Sequence, residues 1–269
     1  MKIASVLPYP AVLIAGVLAS GPASADTCNT VGTEEACVMC GFWCTQPWVD
    51  FYWDAYDFDK GDWDDGFGWE APCDRRKPLA RTFQAIEIVN YAAPVDATST
   101  DDFSGNFLHW VGNYTIREYD ELDARCGDGS KRAHTQWGVF IDNYTEFYLP
   151  FFFNENVVER AGTLVHESRH ADWCGHNGND GSNACPAKSS SCDEKYMDGC
   201  SGVGSPSGRG ADGYQVLFLW WYAFEADAQH SNSTMKAWAR DEANRILNTM
   251  LDVNPCFNIT SNGGKIITC

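Results

Sequence analysis

The apolar positions of the chain gather into a few patterned stretches, separated by runs that are acidic, polar or glycine-rich. Residues 11–18 (AVLIAGVL) are apolar throughout, with Lys2 before them and Pro22 and Ala23-Ser24-Ala25 after them. A basic start, a short apolar run and a small-x-small end mark a secretory signal peptide. Residues 1–25 are therefore read as a leader cleaved after Ala25, since the run is too short for a comfortable bilayer span. Ala80–Tyr91 shows helical spacing. Phe107–Tyr119, Gly138–Ile141 and Phe147–Phe153 are rich in aromatic and apolar residues and read as strands, with Pro150 marking the last as an edge. From 155 to 173 the period returns to that of a helix, and Val157, Val158, Ala161, Leu164 and Val165 form an apolar stripe. Two further helices close the chain. Tyr214–Gln229 is strongly apolar and expected to be buried. Thr234–Leu251 is amphipathic, with Trp238, Ala239, Ile246, Leu247 and Met250 on one side.

Two segments break this alternation. Residues 28–75 hold Cys28, Cys37, Cys40, Cys44 and Cys73 around a stretch where acids and aromatics alternate. Its Asp57-x-Asp59-x-Gly61-Asp62 lacks the glycine position and closing glutamate of an EF-hand loop, so a solvated acidic face is the plainer reading. Residues 175–213 are dominated by Gly, Ser, Asn and Cys, with Cys174, Cys185, Cys192 and Cys200 placed to staple them. The expected organisation is a leader (1–25), a cysteine-rich acidic and aromatic segment (26–75) and a catalytic domain (76–269). The fold class expected is α+β, with a small sheet over the helix of 155–173 and the two C-terminal helices beneath.

That helix carries the chemistry. His166-Glu167-Ser168-Arg169-His170 is an H-E-x-x-H motif. Residues four apart share one helix face, so both imidazoles can reach a single ion, and Glu167 can reach a water beside it. Composition alone gives roughly 0.006 such matches by chance, so the motif outweighs an incidental pair of histidines. An apolar strand followed by a helix with this motif resembles the zincin metallopeptidases. The resemblance implies a Zn²⁺ ion held by His166 and His170, with Glu167 as the general acid and base in peptide-bond hydrolysis.

A catalytic zinc takes a third protein ligand, and three residues compete for the place. His176 gives the ligand spacing of the metzincins, although Trp173 stands where that branch has its turn glycine. Glu225, on a later helix, resembles the downstream glutamate of the gluzincins. Asp212, two residues before Tyr214, faintly resembles the aspzincin arrangement, and Tyr214 is then a candidate oxyanion donor. Asp172 points off the histidine face and is at best an outer partner.

Composition narrows the setting. The chain has 269 residues, a formal net charge of −18 and 12 cysteines. The charge excludes a nucleic-acid partner and disfavours anionic membranes. An even cysteine count behind a leader reads as a disulfide framework of up to six bridges, which also accounts for Cys126 and Cys37-x-x-Cys40. Asn113, Asn143, Asn232 and Asn258 head glycosylation sequons. The expectation is a secreted zinc metalloendopeptidase acting on a protein or peptide substrate. The alternative is a secreted, disulfide-stapled binding module for a glycan or protein, with a closed structural zinc and no catalysis.

Overall fold

The computed structural model describes residues 32–35, 44–58, 63, 72–101, 105–127, 131–136, 144–172 and 210–249. Among them the fold is α+β, with seven helices and one three-stranded sheet. The order is α1 (Gln46–Ala55), α2 (Pro78–Tyr91), α3 (Phe107–Glu118), β1 (Leu122–Arg125), β2 (Ala133–Gln136), β3 (Tyr144–Tyr148), α4 (Leu149–Phe153), α5 (Val157–Ala171), α6 (Ala211–Glu225) and α7 (Ser233–Thr249). The sheet runs β1-β3-β2, with β1 parallel and β2 antiparallel to β3. No described helix is long and apolar enough to cross a membrane.

The helix with the motif lies at the centre. α5 packs on α2, α3, α6 and α7, and it touches β2 and β3 from the sheet side. Its start is fixed locally by a capping box. Asn156 Oδ1 accepts from the amides of Val158 and Glu159, each at 3.0 Å, and Glu159 Oε2 accepts from the Asn156 amide at 3.0 Å. Gly162 lets α6 come close, since a Cβ there would stand 3.3 Å from the Gln215 side chain. Beyond α6, the buried Met235, Ala239, Ala243, Ile246 and Leu247 of α7 complete the core.

The acidic, aromatic N-terminal segment shares that core. Trp48, Tyr52, Tyr56, Phe58 and Trp63 belong to the same buried cluster as Phe83, Phe152 and Leu164. Residues 32–35 are held by buried arginines. Arg81 donates to the Thr33 carbonyl at 2.5 Å, and Arg160 of α5 pairs with Glu35.

Several expectations are corrected. Phe107–Tyr119, expected as strands, is helix α3. Asn106 Oδ1 caps it by accepting from the Leu108 amide at 2.9 Å. Its buried Phe107, Leu108, Val111, Tyr114 and Thr115 recur at helical rather than alternating spacing, so packing overrides the β preference of aromatic residues. Phe147–Phe153 is not one strand, because β3 ends at Tyr148 and α4 begins with Pro150 in its first turn, where a missing N–H costs nothing. Trp238, placed on the core side of α7, is 37% exposed. Cys44 and Cys73 carry free thiols, Cys73 Sγ lying 3.3 Å from the Cys44 carbonyl oxygen, whereas Cys126 is disulfide-bonded. The leader, Gly138–Ile141, Met250 and the other cysteines lie outside the described residues.

One buried acid makes the core sensitive to pH. Glu87 of α2 is 2% exposed, and its Oε2 finds no hydrogen-bond partner among the described residues. Desolvation pushes its carboxyl up to about 8 from 4.5. The folded state therefore holds this proton more tightly than the unfolded chain. The resulting stabilisation is complete below about pH 4.5 and is lost as pH rises towards 8. Glu87→Gln should flatten this part of the stability profile and raise the urea midpoint at pH 8. An unchanged slope between pH 5 and 8 would show that Glu87 does not carry it.

Candidate metal centre

α5 turns its polar residues in different directions, and each direction has its own partners. His166 and His170 converge, with Nε2 atoms 3.0 Å apart, ring centroids 4.7 Å apart and ring planes at 77°. A separation of this size suits two imidazoles on one ion at about 2.0–2.1 Å from each nitrogen. Two imidazoles on a helix that also carries Glu167 are donors of the type a zinc hydrolase uses. On the far edge of the His166 ring, Nδ1 lies 3.3 Å from Asp212 Oδ1.

Glu167 faces the sheet and is 6% exposed. Its Oε2 accepts from the Thr135 hydroxyl at 2.6 Å. Thr135 on β2 and Thr145 on β3 are register partners, and their hydroxyl oxygens lie 2.8 Å apart. A carboxylate only accepts and a hydroxyl has one proton, so Thr145 donates to Thr135 and Thr135 to Glu167. Among the described residues β2 pairs on one side only, with β3. The carboxylate is thus held beside an edge strand.

Arg169 points away from both. Its guanidinium is fully buried, 4.7 Å over the Tyr214 ring, and it pairs with Asp172. Asp172 Oδ2 also accepts from the Tyr114 hydroxyl at 3.1 Å. On the same helix, the Leu164 carbonyl accepts from Tyr119 at 2.6 Å.

A second charged group anchors β2. Arg132, immediately before the strand, reaches Glu155 at 2.9 Å and Glu242 of α7 at 3.5 Å. Glu155, at the foot of α5, also accepts from the Thr163 hydroxyl at 3.1 Å. Burial pushes the Glu155 carboxyl up to about 7, against the opposing pull of Arg132.

The expected site residues therefore divide. His166 and His170 come together, and Glu167 turns to Thr135 of β2. His176 lies outside the described residues. Glu225 is not brought to the histidines. It is exposed at the last residue of α6, whereas Asp212 is in the first turn, about 20 Å away at the helical rise. Asp212 reaches His166, but at Nδ1 rather than beside the paired Nε2 atoms. Among the described residues no third His, Cys, Asp or Glu completes a ligand set. Tyr214, the expected oxyanion donor, is buried against Phe107, Trp110 and Tyr114, with ring centroids 5.8, 5.8 and 5.4 Å away. Thr135 and Thr145 carry no sequence signal of their own, since a four-residue strand shows too little alternation to be read.

Comparison of the chain with family models, with curated proteins and with solved structures finds no match.

The pair at Arg169 predicts an asymmetry. Removing Asp172 leaves a buried cation short of its counter-charge, whereas Arg169→Met removes the cation and keeps most of the apolar stem. Asp172→Ala should cost about 3 kcal/mol in urea unfolding, and more than Arg169→Met. The reverse order would place the stabilisation in the aromatic stacking instead.

Proposed function

We propose that the chain is a secreted zinc-dependent metallopeptidase with a zincin-like catalytic domain. The observation that carries this reading is the convergence of the His166 and His170 Nε2 atoms, 3.0 Å apart, on a helix that also carries the buried carboxylate of Glu167. The apolar leader of residues 1–25 and the cysteine content support export.

In this reading His166 and His170 hold the ion and His176 supplies the third ligand. A bound Zn²⁺ would polarise the scissile carbonyl and make water acidic enough to react near neutral pH. Glu167 takes a proton from the attacking water and passes it to the departing amine. Thr135 and Thr145 hold the Glu167 carboxylate in one orientation, so little of its freedom is lost when substrate arrives. Among the described residues β2 pairs only with β3, and the N–H and C=O groups of its other edge would let an extended peptide pair with its scissile bond next to Glu167. The acidic surface implied by the net charge of −18 favours basic substrates at low salt.

The test is Glu167→Gln in the full-length protein. Turnover of a general protein substrate such as casein should fall at least about 1,000-fold, with the fold and one zinc per chain retained. Full activity in a zinc-loaded Glu167→Gln sample would overturn the mechanism. A wild-type protein that is inactive but unfolds when its zinc is removed would instead favour a binding module with a closed structural site. Thr135→Val removes the donor to Glu167 while keeping the shape of the strand residue. It should lower kcat about 10-fold with KM nearly unchanged, as read from steady-state kinetics on a short fluorogenic peptide.

A further inference from the structure

We infer that Asp212 is a positioning residue for His166, its nearby carboxylate favouring a proton on Nδ1 so that Nε2 is the bare nitrogen turned towards His170. The functional consequence rests on the metallopeptidase reading, but the contact itself does not. Asp212 Oδ1 lies 3.3 Å from His166 Nδ1, an ion-pair distance without the alignment of a hydrogen bond, and the aspartate is 3% exposed. A neutral imidazole has one N–H, and an acceptor at one ring nitrogen draws the proton there. A carboxylate at Nδ1 therefore selects the tautomer whose Nε2 lone pair is available to a metal.

The surroundings keep Asp212 in the role. It sits in the first turn of α6, where the amide dipoles favour a negative charge. Arg245 of α7 faces the same region. Its guanidinium binds Glu242 through two contacts of 2.6 Å, and after Glu242 the charge of Asp212 also raises its pKa. The buried carboxylate thus lies beside the Nδ1 edge of the imidazole and within the field of a cation. A ligand to the ion shared by His166 and His170 would have to lie beside the two Nε2 atoms. Asp212 lies on the opposite edge of the ring.

The experiment uses the full-length protein with Asp212→Ala and Asp212→Asn. Two quantities are read: zinc affinity by competition with a chelator, and the tautomer of His166 by nitrogen-15 NMR of the metal-free protein. Wild type should show the Nδ1–H tautomer. In Asp212→Ala the zinc stoichiometry should stay at one per chain, the affinity should fall about 10- to 100-fold, and the Nε2–H tautomer should gain population. Asp212→Asn should lose less affinity, because its amide oxygen keeps an acceptor beside Nδ1. Zinc lost outright from a folded Asp212→Ala would make Asp212 a ligand and overturn the inference. So would an unchanged affinity and tautomer, or an Nε2–H tautomer in wild type. If wild type binds no zinc, the metallopeptidase reading fails, and the wild-type tautomer and its response to the two variants still decide the role of Asp212. Should Asp212→Ala not fold, wild type and Asp212→Asn carry the test.

Discussion

The burial of α5 constrains everything packed around it. This helix takes Arg160, Glu167, Arg169 and His170 into the interior, along with its apolar stripe. A buried charge without partners is costly, so each of these side chains has to be met by another element. Arg160 is met by Glu35 and by the Glu155 carbonyl at 2.6 Å, Glu167 by the sheet, and Arg169 by Asp172 and two tyrosines. The surrounding fold is largely the set of elements that supply these partners. The segment at 32–35, which looks peripheral in sequence, is part of that set.

The same constraint sends neighbouring side chains to different partners within five residues. Arg169 lies between the two histidines in sequence but serves the helix–helix interior. Glu167 turns to β2, whereas the histidines converge on each other, with Asp212 of α6 at Nδ1 of His166. Arg132 binds β2 to the foot of α5 and to α7, so the strand beside Glu167 is fixed at one end by charge and along its length by pairing with β3. A carboxylate whose orientation is set by two threonines on adjacent strands depends on that register, because a slip of one residue would turn Thr135 to the other face.

Much of this was legible in the sequence where the signal was local. The motif, its helix and the amphipathic character of α7 follow from spacing alone, and all three are present. Phe107–Tyr119 departs from its strand expectation because aromatic residues favour strands only when a pleated surface awaits them. Phe107, Tyr114 and Trp110 instead pack on Tyr214 across a helix–helix contact, which no local pattern announces. Asp212 was visible as a metal-site candidate by its residue type. Its side of the imidazole was not, since that depends on where α6 meets α5. Glu225 stood in as attractive a sequence context, and only the length of α6 separates it from the site.

That length has a further consequence. At one end of α6 Asp212 meets His166. Just past the other end the Asp227 amide donates to the Ala92 carbonyl, which follows α2, at 3.0 Å. Both ends of the helix are therefore tied to other elements, and α6 acts as a spacer of fixed length and phase. Inserting or deleting one residue between the two ties would turn one end by about 100° relative to the other. Side chains along α6 can vary as far as packing tolerates, but the number of residues cannot change without moving the carboxylate off the imidazole.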